Sequence, residues 1–158
     1  MNFVVSGDIK GLKEYLNDGG DPNIQLKDGP KISRGETPLM QSVLSEETEM
    51  VSVLIDKINE LNLNPNLAAD DSRTPLDLSE YKLENNPNNS NNNIIHTMLN
   101  QSIALYKARK RLAFYKISLR DKDPLNYDLY ETIHKSKASL KKKKTSRKKK
   151  KISRKKKT

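Results

Sequence analysis

The side chains best suited to chemistry in this sequence are two histidines, His96 and His134, and two pairs of adjacent carboxylates, Glu46-Glu47 and Asp70-Asp71. Carboxylates do general acid–base work when they converge on a substrate. Sequence neighbours point apart on a helix or loop, so both pairs read as solvated surface. The histidines lie in separate segments, with no serine and aspartate arranged around them as a triad requires. His96 falls between Ile95 and Met98 and reads as a helix-surface residue rather than a ligand, since no cysteine completes a soft ligand set. All six glycines precede residue 36 in turn-like or helix-flanking settings, so no glycine-rich phosphate loop exists. No catalytic residue, cofactor or metal is expected, and the chain reads as non-enzymatic.

The densest chemistry is electrostatic. Residues 135–158 carry 15 Lys/Arg and no acid. Within them Lys141, Lys142, Lys143, Lys144, Arg147, Lys148, Lys149, Lys150, Lys151, Arg154, Lys155, Lys156 and Lys157 form two near-identical blocks around Ser146 and Ser153. Such a block repels itself and has nothing apolar to bury, so a disordered tail is expected. No aromatic ring is interleaved to stack on bases, which leaves phosphate contacts that are blind to sequence and steeply salt-dependent. Four readings stand: an import signal bound by an importin-type receptor, a nucleic-acid arm, attraction to an anionic leaflet, and a solubilising tail that folds back on the acidic front half. Targeting or phosphate binding leads on charge density. Ser146, Ser153 and Thr145 are candidate phosphorylation sites.

The rest of the chain must position whatever binds. Residues 1–100 hold eight Lys/Arg against sixteen Asp/Glu, whereas residues 101–158 hold 22 against four. The overall charge of +10 therefore conceals an acidic front and a basic back. Only 34% of the 158 residues are hydrophobic, which is thin for one compact core. No run of about 18 apolar residues occurs, so no stable membrane insertion is expected. The first residues lack a secretory signal pattern, and an intracellular monomer is the expectation.

Self-comparison exposes a repeat. Gly35-Glu36-Thr37-Pro38-Leu39 recurs as Ser72-Arg73-Thr74-Pro75-Leu76, and Asp21-Pro22-Asn23 recurs as Asn64-Pro65-Asn66. Helix-period stripes lie between these markers: Ile9, Leu12, Tyr15 and Leu16; Met50, Val51, Leu54 and Ile55; Ile94, Ile95, Met98 and Leu99. Thr before Pro starts a helix well, because the hydroxyl caps free N–H groups and Pro suits the first helical position. Stacked helical pairs would share one apolar seam through Leu16, Leu39, Leu54, Leu76 and Leu99.

These segments resemble the ankyrin repeat, a hairpin finger followed by a Thr-Pro-Leu-His helix, a second helix and a Gly-Ala-Asp-x-Asn loop. Gly7 to Asn23 follows the second half of that unit without a gap; Thr37-Pro38-Leu39-Met40 and Thr74-Pro75-Leu76-Asp77 match its opening, with Met and Asp in place of His. The resemblance implies an all-α solenoid with units at approximately 1–33, 34–71 and 72–100. It departs from the family in spacing, since Thr37 and Thr74 stand 37 residues apart rather than ~33, and the loop from Ile24 to Glu36 is long. Asn85–Asn93 is expected to interrupt the last two helices as a low-complexity loop. The resemblance also implies a partner protein held by the fingers and the edge of the first helices, here Lys31, Ile32, Arg34, Met40, Gln41, Asp70, Asp71 and Arg73. The alternative is a nucleic-acid-associated protein in which the array is only a carrier.

An array this short needs its end covered. Leu105, Ala108, Leu112, Tyr115 and Leu119 form a stripe along a helix, and Leu125, Leu129 and Ile133 follow beyond Asp123-Pro124 at intervals of four. Residues 101–134 are therefore expected to be a helical extension that caps the array, the alternative being a basic amphipathic helix that binds membrane, calmodulin-like partners or nucleic acid.

Overall fold

The computed structural model describes residues 2–27 and 34–122. Six helices and no strand occur among them: α1 (Asn2–Val5), α2 (Ile9–Asn17), α3 (Pro38–Leu44), α4 (Thr48–Glu60), α5 (Pro75–Asn85) and α6 (Ser90–Lys122). The chain divides into two compact units, residues 1–109 and residues 110–158.

The helix starts follow the chemistry of the Thr-Pro pairs. Thr37 is extended and its hydroxyl accepts from the Met40 N–H at 3.3 Å, with Pro38 at the first position. Thr74 does the same for Asp77 at 3.2 Å, and the Asp77 carboxylate accepts the Thr74 N–H at 2.8 Å, closing a capping box. Asp8 caps α2 by accepting from the Gly11 N–H at 2.9 Å.

Within the first unit the helices pair and stack. Contacts join α1 to α2 and α3 to α4 within pairs, and α1 to α3, α3 to α5 and α2 to α4 between pairs. Ser79 meets His96 and Lys82 meets Asn92, so α5 and the start of α6 run antiparallel. The shared seam is dry: Leu12, Leu16, Leu39, Val43, Met50, Val51, Leu54, Ile58, Leu78, Ile95 and Leu99 are all buried. Leu76 is half-buried against the same cluster. Each fully buried Leu or Ile adds roughly 1.5–3 kcal/mol, so this seam is the main source of the stack's stability.

The backbone turns also recur in register. Left-handed residues sit between paired helices at Gly7 and Glu46, after the second helix at Gly19 and Asn62, and before each Thr-Pro pair at Gly35 and Ser72. Asp21 and Asn64 each accept the N–H two residues on, at 2.8 and 3.0 Å, and place the buried prolines Pro22 and Pro65.

Three expectations need correction. The asparagine tract interrupts the two helices only over residues 86–89, because α5 ends at Asn85 and α6 begins at Ser90. Asn89 caps α6 through the Asn91 N–H at 2.9 Å, and the buried Asn92 donates to the Lys82 carbonyl at 3.4 Å. Side-chain amides substitute here for missing backbone partners. A boundary at residue 100 falls inside α6, which is continuous. Leu105, Leu112 and Tyr115 are 40%, 53% and 58% exposed, so the expected capping stripe is open among the described residues. Residues 123–134 and the tail 135–158 lie outside the described residues.

The end of the stack is finished differently. Met40 and Val43 are buried on α3, which contacts α1, α4 and α5, while Asp77 and Glu80 hold the same places relative to Thr74 and are exposed. A polar outer face lets the last layer meet water without a lid.

Candidate functional site

The loops that precede α3 and α5 form one edge of the first unit. Leu26 and the Gly35-Glu36 pair exchange backbone hydrogen bonds, Leu26 N–H to Glu36 O at 3.0 Å and Gly35 N–H to Leu26 O at 2.8 Å. The following loop closes through Ala69 N–H to Arg73 O at 2.9 Å. The two loops are joined edge to edge: the Asp70 N–H donates to the Arg34 carbonyl at 3.2 Å, and the Gln25 amide donates to both Gly35 O and Ala68 O, at 2.8 and 2.9 Å.

A polar network locks this junction. Arg73 Nη2 lies 3.2 Å from Glu36 Oε1, and Arg73 Nε lies 2.5 Å from Asp71 Oδ2. Glu36 is 2% exposed and takes its other contact from the Gln41 amide. A buried carboxylate demands charge-matched donors, and Arg73 and Gln41 supply them. The Arg73 guanidinium, together with its backbone N–H at 3.1 Å, holds the Asp71 carboxyl below its ordinary range, against weaker opposition from desolvation.

The expected surface residues therefore divide. Arg34 and Asp70 are exposed, and Asp71 is exposed while paired to Arg73. Arg73 and Gln41 are half-buried and tied to Glu36. Met40 is fully buried, which corrects its place on the interaction edge: α3 is covered by α1, α4 and α5, leaving that position no solvent face. Lys31 and Ile32 lie outside the described residues.

Sequence reasoning missed Glu36. The signal was present, for the residue before Thr-Pro is Glu in one copy and Arg in the other, and equivalent positions in stacked units become neighbours.

A second network ties the opposite turns. Lys82 lies 3.0 Å from Glu46 Oε1, and the Asn89 amide donates to Glu46 Oε2 at 2.6 Å. The Lys82 hydrogen bond is the main cause that holds the Glu46 carboxyl below its ordinary value of 4.5; partial burial opposes it, and the Lys82 charge with Asn89 and Asn92 adds to the lowering.

His96 is half-buried rather than free on a surface. Its Nδ1 lies 3.0 Å from Ser79 Oγ and its Nε2 lies 2.9 Å from Asn100 Nδ2. Ser79 Oγ donates to Leu76 O at 2.8 Å, so a ring protonated on Nδ1 satisfies every group. Both ring nitrogens are thereby committed to the α5–α6 contact. Among the described residues no three His, Cys, Asp or Glu side chains could hold a metal ion, and no helix is long and apolar enough to cross a membrane. Compared with family models, curated proteins and solved structures, the chain matches none.

Proposed function

We propose that residues 1 to about 100 are a short ankyrin array acting as a non-enzymatic protein-binding module, inside the cell, with the basic tail serving nuclear targeting or phosphate binding. The observation that carries this reading is the edge-to-edge joining of two loops, each leading through a Thr cap into a helical pair, with charged side chains outward. Loops fixed by Gln25, Glu36 and Arg73 present Arg34, Asp70 and Asp71 at set positions, which spares a partner much of the ordering entropy of binding. Charges of both signs suit a partner surface of mixed charge, and they give specificity and association rate more than raw affinity.

The alternative, in which the tail is the binding agent and the array a carrier, is favoured by the 15 Lys/Arg of residues 135–158. The two separate in one experiment on the full chain. Arg34→Glu with Asp70→Arg should leave the melting midpoint within about 2 °C and remove a co-purifying protein. Replacing the tail Lys/Arg by Gln should leave that protein bound and remove any nucleic acid. If only the tail variant loses its partners, the array reading falls.

A further inference from the structure

Residues 110–118 lie on α6 within the second unit and carry Lys110, Arg111 and Lys116 with no Asp or Glu. Leu112, Phe114, Tyr115 and Ile117 are 53%, 75%, 58% and 60% exposed there. These exposures are those of the whole chain, so they ask for a cover from outside it. Their arrangement narrows what that cover is. At about 100° per residue, Leu112 and Tyr115 form one apolar pair, and Phe114 and Ile117 form another. The two pairs stand about 160° apart around the helix, on nearly opposite sides. Arg111 and Lys116 lie on the two flanks between them. A bilayer surface takes up only one side of a helix, and so does a single groove. Either would leave one pair in water. A second copy of α6 packed alongside has the same fault, and it sets Lys110, Arg111 and Lys116 against their own kind. Nucleic acid offers phosphates to the cations and leaves the apolar sides uncovered.

We propose that residues 110–118 are the target of an acidic protein with two apolar lobes that close on the helix from both sides. Carboxylates at the rims of the lobes answer Arg111 and Lys116. Adaptable, Met-rich lobe surfaces take Leu112 and Tyr115 on one side and Phe114 and Ile117 on the other. Calcium-loaded EF-hand sensors present this chemistry, because calcium opens each of their helix pairs into a Met-rich groove. The binding does not depend on what the Arg34 and Asp70 edge holds.

The chain has no tryptophan, so a single introduced indole reports its own position. Full chains carrying Leu112→Trp or Phe114→Trp place that reporter on opposite sides, at exposed positions where the change leaves the fold intact. The probe is calcium-loaded calmodulin at about 0.15 M salt. Both emissions should move to shorter wavelength, saturate at equal amounts of calmodulin and chain, and return when EDTA removes the calcium. A shift at only one of the two positions overturns the proposal, because a one-sided surface then suffices. So does no shift at either, or a shift produced by phosphatidylserine vesicles alone, which would make a membrane the occupant. Leu112→Asp and Phe114→Asp should each weaken binding of labelled calmodulin at least about tenfold. Gln in place of the Lys/Arg of residues 141–157 should change it less than about threefold at that salt, and a larger loss overturns the proposal by giving the binding to the tail. Arg34→Glu with Asp70→Arg should bind calmodulin unchanged, so failure here and failure of the array reading are told apart.

Discussion

Glu36 and Arg73 hold the same place in two copies of one segment, and their opposite charges meet across the junction at 3.2 Å. Arg73→Ala would leave a buried carboxylate without its cation. We expect a loss of about 3 kcal/mol, read from the urea midpoint of the full chain. Glu36→Leu combined with Arg73→Leu should recover most of that loss, because neither charge is then buried alone. Gly35 is constrained twice over. Its φ of 78° is left-handed, and a Cβ there would stand 2.6 Å from the Asp70 backbone nitrogen. Gly35→Ala should therefore destabilise by about 2 kcal/mol or more, whereas Gly19, equally left-handed with open space around it, should lose about 1 kcal/mol as Ala. At this scale the sequence was only half legible. The Thr-Pro caps are local and could be read directly; the Glu36–Arg73 pair depends on stacking, and Met40 looked like an edge residue until α3 was seen to be covered on several sides.

Among elements, the contrast between α3 and α5 is the most informative. Val43 is 1% exposed on α3, and Glu80 holds the matching place on α5 and is exposed. Val43→Glu should lower stability by about 3 kcal/mol or more, while Glu80→Val should change it by less than about 0.5 kcal/mol and lower solubility instead. Thermal melts with turbidity would separate the two. The Glu46 network adds a pH dependence. Its carboxyl is depressed in the folded chain, so its stabilisation is complete above the ordinary value of 4.5 and is lost as pH falls through the folded value. The urea midpoint of the unsubstituted chain should consequently fall further between pH 5 and pH 3 than that of Glu46→Gln; equal falls would show that the carboxyl is not held by Lys82 and Asn89. Helical periodicity made α2, α4 and α6 legible. The asparagine tract misled because composition alone cannot show that Asn89 and Asn92 have carbonyl and carboxylate partners waiting on other elements.

At the scale of the whole molecule, charge divides the chain into two unlike halves. The front half is acidic, helical and interlocked at its loops, while the last 24 residues carry 15 of the chain's 30 Lys/Arg. On the proposed reading, recognition through shape belongs to the first and attraction through charge to the second. The expected seam survived intact, with Leu16, Leu39, Leu54 and Leu99 buried and Leu76 packed against them, because a 3.6-residue period reports burial directly. The expected capping stripe is open where it is described, at Leu105, Leu112 and Tyr115, because a helical period marks a shared face without showing what lies against it. The most direct measurement is the hydrogen-exchange footprint of the full chain on adding a protein captured with it from a cell extract. Slower exchange in residues 31–41 and 68–73, with α2, α4 and the tail unchanged, is the expected result. A footprint confined to residues 135–158 would contradict it.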